Sequence, residues 1–114
     1  MTGGTQNKAE GGSSSVSGGQ LNVASGLRAT VSGGTNNEAS ADDASVSGGI
    51  ENEASGESAS VTGGSANSAS GENSSVSGGN DNEAIGNAAS VSGGSGRVAL
   101  DGSDWVAGSL LEDH

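Results

Sequence analysis

Carboxylates are the groups in this chain best suited to chemistry, and nine of the fourteen gather in its middle: Glu38, Asp42, Asp43, Glu51, Glu53, Glu57, Glu72, Asp81 and Glu83. Clustered carboxylates serve proton transfer or hold hard cations such as calcium. No Asp-rich loop or calcium-binding repeat motif accompanies them. They read as a solvated acidic surface suited to a salt-rich habitat, with bound calcium or another cation as the weaker alternative. Acid–base catalysis needs titratable groups converging in a pocket, and the only histidine is His114, the last residue. Serine is abundant, but no histidine stands among the serines to activate one. Cysteine is absent, which removes thiolate nucleophiles, thiolate metal sites and disulfides. No phosphate-binding loop is present. The chain is expected to be no enzyme and to hold no cofactor.

Composition narrows the partners. Hydrophobic residues are 29% of the chain, Trp105 is the only aromatic, and the formal net charge is -11. Taken alone, those values describe a chain too polar to bury a core, so only a strict positional pattern can give it a fold. Lys8, Arg28 and Arg97 are the only basic side chains. They form no patch to neutralise phosphates, so neither nucleic acid nor an anionic membrane is an expected partner. No apolar run is long enough to cross a bilayer. Met1 leads into TGGTQNKAEGG, which has no apolar h-region, so no signal peptide is expected on this chain.

The pattern that rescues the chain is a repeat. Val-Ser/Thr-Gly-Gly recurs at Val16, Val31, Val46, Val61, Val76 and Val91, always 15 residues apart. Numbering each unit from its Val, the frame gives seven repeats over residues 1–105 and a remnant or cap over 106–114. One clean unit is VSGGIENEASGESAS, residues 46–60. Position 3 is Gly throughout, and position 7 is Asn at Asn7, Asn22, Asn37, Asn52, Asn67 and Asn82 before it becomes Arg97. Position 9 is Ala at Ala9, Ala24, Ala39, Ala54, Ala69, Ala84 and Ala99, and position 14 is mostly Ala. Positions 5, 6, 8, 12 and 13 vary and carry most of the charge.

A period of 15 is too short for a helical-hairpin repeat, and each helical Gly would cost up to ~1 kcal/mol. It fits one coil of a parallel β-solenoid with two short strands and two turns. Around position 1 the order Ala-Ser-Val-Ser puts Ala and Val on one face and Ser on the other; Asn-x-Ala-Ser-Gly alternates likewise. The Gly pair at positions 3 and 4 is expected to make one turn with positive φ, and the Gly at position 11 the other. Stacked coils turn each position into a ladder. The Val and Ala ladders form the core, and the Asn ladder is expected to bond side-chain amide to side-chain amide.

One Val and two Ala per coil make a thin core at ~25 cal/mol per Å2 of buried apolar area. The outward face is Ser17, Ser32, Ser47, Thr62, Ser77 and Ser92, with Thr30, Ser45, Ser60, Ser75 and Ser90 beside them. Side chains that small let another backbone approach. Burial of that face in a cyclic homotrimer enlarges the core and keeps the coils in register. The unit V-S-G-G-x-x-N-x-A-S-G-x-x-A-S, seen best in Val46–Ser60 and Val61–Ser75, resembles the head repeats of trimeric autotransporter adhesins (YadA-like). The resemblance covers about residues 1–105. It implies a left-handed parallel β-roll that forms a homotrimer. The signal peptide, coiled-coil stalk and membrane-anchor barrel of that family have no counterpart in this sequence.

The ends depart from the pattern. Val98, Leu100, Trp105, Val106, Leu110 and Leu111 concentrate larger apolar groups near the C-terminus. An open solenoid end must be covered, so these form a cap or, alternatively, a docking surface. Leu21, Val23 and Leu27 occupy positions that are otherwise mostly polar, and form either a neutral substitution or a partner patch. The expected function is a non-enzymatic fibre, spike or decoration component of a virion or cell-surface appendage, with self and other structural proteins of a larger particle as partners and a role in attachment. The alternative is a module that recognises a receptor, glycan or other extended ligand. Against it, Thr2, Thr5, Thr30, Thr35 and Thr62 share no single ice-binding column, and Trp105 is the only aromatic platform.

Overall fold

The computed structural model describes residues 4–100 and the backbone of 105–106. Over that span the chain is an all-β parallel solenoid of about six turns, each close to 15 residues. Fourteen two-residue strands alternate between two sheets. Sheet one contains Lys8–Ala9 (β1), Val23–Ala24 (β3), Glu38–Ala39 (β5), Glu53–Ala54 (β7), Ser68–Ala69 (β9), Glu83–Ala84 (β11) and Val98–Ala99 (β13). Sheet two contains Ser15–Val16 (β2), Thr30–Val31 (β4), Ser45–Val46 (β6), Ser60–Val61 (β8), Ser75–Val76 (β10), Ser90–Val91 (β12) and Trp105–Val106 (β14). Each strand pairs in parallel with its equivalent one repeat on, as Ala39 with Ala54 and Val46 with Val61. A third line of parallel bridges runs from Thr5 through Gln20, Thr35, Ile50, Ser65 and Asn80 to Ser95.

The core is the expected pair of ladders. Val16, Val31, Val46, Val61, Val76 and Val91 on sheet two face Ala24, Ala39, Ala54, Ala69, Ala84 and Ala99 on sheet one, all at 0–1% exposure. Ala29, Ala44, Ala59 and Ala89 at position 14 complete the interior. With such short side chains, the two sheets lie close enough for the molecule to be only 11 Å thin between Cα atoms.

The turns differ from expectation. Each coil has left-handed backbone at positions 4, 6 and 13, and only the first is regularly glycine. Gly19, Gly34, Gly49, Gly64 and Gly79 have φ of 86–92°. A Cβ at Gly49 would also lie 2.2 Å from Gly64 O and 2.4 Å from Asn52 Nδ2, so no other residue fits there. Positions 6 and 13 hold ordinary residues at φ near 60°, including Leu21, Glu51, Ala66, Arg28 and Ala88. For such residues this backbone costs roughly 1–2 kcal/mol each. The preceding coil compensates by capturing their amides: Leu21 N–H donates to Thr5 O at 3.0 Å, and Arg28 N–H donates to Gly12 O at 2.8 Å.

The position-11 glycine is not the positive-φ residue of its turn. Coils touch closely there, and glycine fills the position in every described repeat except one, where Ala41 stands. A Cβ at Gly56 would lie 2.1 Å from Gly71 O. The N–H of Gly11, Gly26, Gly56, Gly71 and Gly86 shares a carbonyl two coil positions back on the next turn, as Gly56 does with Ala69 O at 3.2 Å. Position 3 needs no positive φ at Gly18, Gly33, Gly48, Gly63 or Gly78, and nothing lies within 4 Å of a Cβ placed on any of them.

Candidate functional site

Sequence reasoning offered four sets of candidate residues, and the solenoid sorts them. The first is the Asn ladder. Asn22, Asn37, Asn52, Asn67 and Asn82 are buried at 0–1% exposure, but their side chains do not bond amide to amide. Each Nδ2 donates to two glycine carbonyls, and each Oδ1 accepts the backbone N–H of the next Asn. For Asn37 these are Gly33 O and Gly49 O at 2.9 Å and Asn52 N–H at 2.9 Å. The short amide reaches the backbone because the position-3 and position-4 glycines wrap around it. The side-chain amide is engaged by the surrounding backbone, so the ladder is internal scaffolding. Arg97 ends it: Arg97 N–H still donates to Asn82 Oδ1 at 2.8 Å, while its buried Nε has no partner among the described residues.

The second set is the outer face of sheet two. Ser15, Thr30, Ser45, Ser60, Ser75 and Ser90 are half-buried, and Ser17, Ser32, Ser47, Thr62, Ser77 and Ser92 are exposed. With the open glycines at position 3 beside them, they form a face from Ser15 to Ser92 with no side chain larger than threonine, and the register places Trp105 next in the Ser90 column. Among the described residues nothing covers it.

The third set is the acidic surface. Parallel register places Glu38 directly beside Glu53. The Glu53 carboxyl is held above its ordinary range, first by partial burial, then by repulsion from Glu38 and a hydrogen bond with it that favours the protonated form. By contrast, Asp43 is held below its ordinary range by the Arg28 guanidinium, which donates two 2.7 Å bonds across the coil spacing. The repeat also stacks Asp42, Glu57 and Glu72 at position 12 of consecutive coils, a second like-charge column that spacing alone could have revealed. Among the described residues no group of three or more Asp, Glu or His side chains is placed to hold a metal ion.

The fourth set is the apolar patch. Leu21 and Val23 come together with Glu38, Glu51, Glu53 and Asn36 around a groove of about 320 Å3 on the outer face of sheet one. Leu27 does not join them. It lies in the position-12 turn, 43% exposed, with its N–H donating to Asp42 Oδ1 at 3.1 Å. Two exposed apolar residues were missed: Ile50 at 52% and Ile85 at 38%. Their signal was an apolar side chain at positions 5 and 10, which are mostly polar in other repeats. Toward the C-terminus, Val98 and Leu100 are 44% and 64% exposed. Trp105 and Val106 extend sheet two as β14, while their side chains, Leu110, Leu111 and His114 lie outside the described residues.

No family model matches the chain, and no curated protein matches it. The functional reading therefore rests on the surfaces themselves.

Proposed function

We propose that this chain is a non-enzymatic structural rod that assembles as a homotrimer through the outer face of sheet two. In this reading it serves as a fibre, spike or decoration component of a virion or a cell-surface appendage, in contact with other structural proteins of that particle and acting in attachment. The observation that carries the proposal is the glycine at position 3. The fold gives it no reason to be glycine: its φ is ordinary and the space beside it is open in five successive coils. A surface column that stays glycine without need inside the chain is explained by a neighbouring backbone that must come close. The serine and threonine columns alongside are small enough to let it, and three thin cores joined on that face offset the meagre burial of one. A left-handed roll and the adhesin-like role follow from the repeat resemblance and stand with the same proposal.

The test is mass by light scattering at low and high salt, on the native chain and on Gly48→Leu. The native chain is expected near three times 10.6 kDa. Gly48→Leu is expected to lower that mass while retaining β-type circular dichroism, since a Cβ at this position has nothing within 4 Å in its own chain. A monomeric native mass with β-type ellipticity would sink the trimer. Unchanged assembly of Gly48→Leu would move the interface to another face.

A further inference from the structure

The groove on the outer face of sheet one joins two features that are far apart in sequence. Leu21, 42% exposed, and the half-buried Val23 come from one coil, Glu38 from the next, and Glu51 and Glu53 from the one after. The groove is mainly polar, with Leu21 and Val23 forming an apolar corner beside the three glutamates and Asn36, Asn37 and Asn52. None of the described lysine and arginine side chains serves it. Arg28 is engaged by Asp43. Lys8 is two rungs from Glu38 on the same ladder, with Val23 between them, and Arg97 lies three coils beyond Glu53.

We infer that this groove docks a segment of a partner protein that presents an arginine beside an apolar side chain. The apolar group covers Leu21 and Val23, and the guanidinium seats among Glu38, Glu51 and Glu53. Charge complementarity selects the cation, and the apolar wall selects a peptide over a bare ion, which gains nothing from leucine. Arginine suits the site better than lysine. Its planar fork can engage two carboxylates carried side by side on adjacent rungs. A guanidinium there also offsets the repulsion between Glu53 and Glu38. The inference is independent of the trimer, which uses the opposite sheet.

The test uses the nitrogen-15-labelled full chain and two blocked dipeptides, acetyl-Leu-Arg-amide and its citrulline counterpart, with calcium chloride at matched ionic strength as a third probe. The arginine dipeptide at millimolar concentration is expected to shift the amides of Leu21, Val23, Glu38, Glu51 and Glu53. The response should be about tenfold weaker for citrulline and for the Glu38→Gln/Glu53→Gln variant, the loss of one charge-assisted pair. Leu21→Ser is expected to weaken it about threefold. Circular dichroism of the double variant, expected to keep its β signal, separates lost charge from lost fold. The proposal is overturned by equal responses to arginine and citrulline, by shifts that ignore the glutamates, or by no shift at all. Shifts at these residues from calcium alone would also overturn it, making the groove an inorganic cation site.

Discussion

Asn52→Ala tests whether the amide ladder holds the coils together. Asn52 is 1% exposed. Its Nδ2 donates to Gly48 O at 2.8 Å and Gly64 O at 3.0 Å, and its Oδ1 accepts Asn67 N–H at 2.9 Å. Alanine removes all three bonds, but the damage is unequal. Gly64 O keeps the Ile50 N–H at 2.9 Å. Gly48 is half-buried, so water recovers part of the bond to its carbonyl. Asn67 N–H is enclosed and keeps nothing, at a cost of about 1–3 kcal/mol. Adding the partial loss at Gly48 and the small void gives about 2–4 kcal/mol for the substitution. The assay is urea unfolding followed by circular dichroism at fixed protomer concentration, because self-association adds to apparent stability. Ser40→Ala, at an exposed position of the same ladder spacing, serves as the control and is expected to stay within ~0.5 kcal/mol. A cost below about 1 kcal/mol for Asn52→Ala would refute the reasoning and return the stability to the Val and Ala core.

Acid is expected to strengthen the middle of the rod. The Glu53 carboxyl is raised in the folded state, so folding binds its proton more tightly, and stability rises as pH falls from neutrality toward the ordinary carboxylate range. Glu53→Gln should raise the thermal midpoint at neutral pH and flatten that dependence; a midpoint that falls monotonically in mild acid in the native chain would contradict the assignment. Gly49→Ala is expected to cost about 3 kcal/mol or more in urea unfolding, since it combines positive φ with backbone contacts near 2 Å. Gly48→Ala, one residue earlier, should leave single-chain stability almost unchanged. Arg28→Gln should not measurably move the thermal midpoint, because the Arg28–Asp43 pair is 57% and 41% exposed.

The sequence made the ladders legible because each inward position admits one kind of side chain. Val46 and Ala54 recur at their positions because the interior between the sheets has room for nothing larger, and spacing alone shows that. The left-handed residues were hidden for the opposite reason. Leu21, Arg28 and Glu51 have no intrinsic preference for positive φ, and the amide capture by the preceding coil that holds them there is a contact between repeats. Glycine was visible but ambiguous, since one residue type answers three demands: positive φ at Gly49, a neighbouring carbonyl at Gly56, and open space at Gly48. The stacking of Glu38 on Glu53 followed directly from the period. Its meeting with Leu21 and Val23 did not, because a groove is made from the outward sides of three coils whose variable positions obey no rule.

The bonds that hold any coil run to its immediate neighbours, as Asn52 shows with Gly48, Gly64 and Asn67. Excising residues 47–61 would therefore join Val46 to Thr62 and present every remaining group with an equivalent partner, leaving the reading frame undisturbed. Loss or duplication of one repeat's length of coding sequence would make that kind of change in one event. Each gain or loss alters reach by one rung, about 4.8 Å, and leaves the cross-section as it was. Length in such a molecule is thus a heritable dial, adjustable in whole steps without the invention of a new fold.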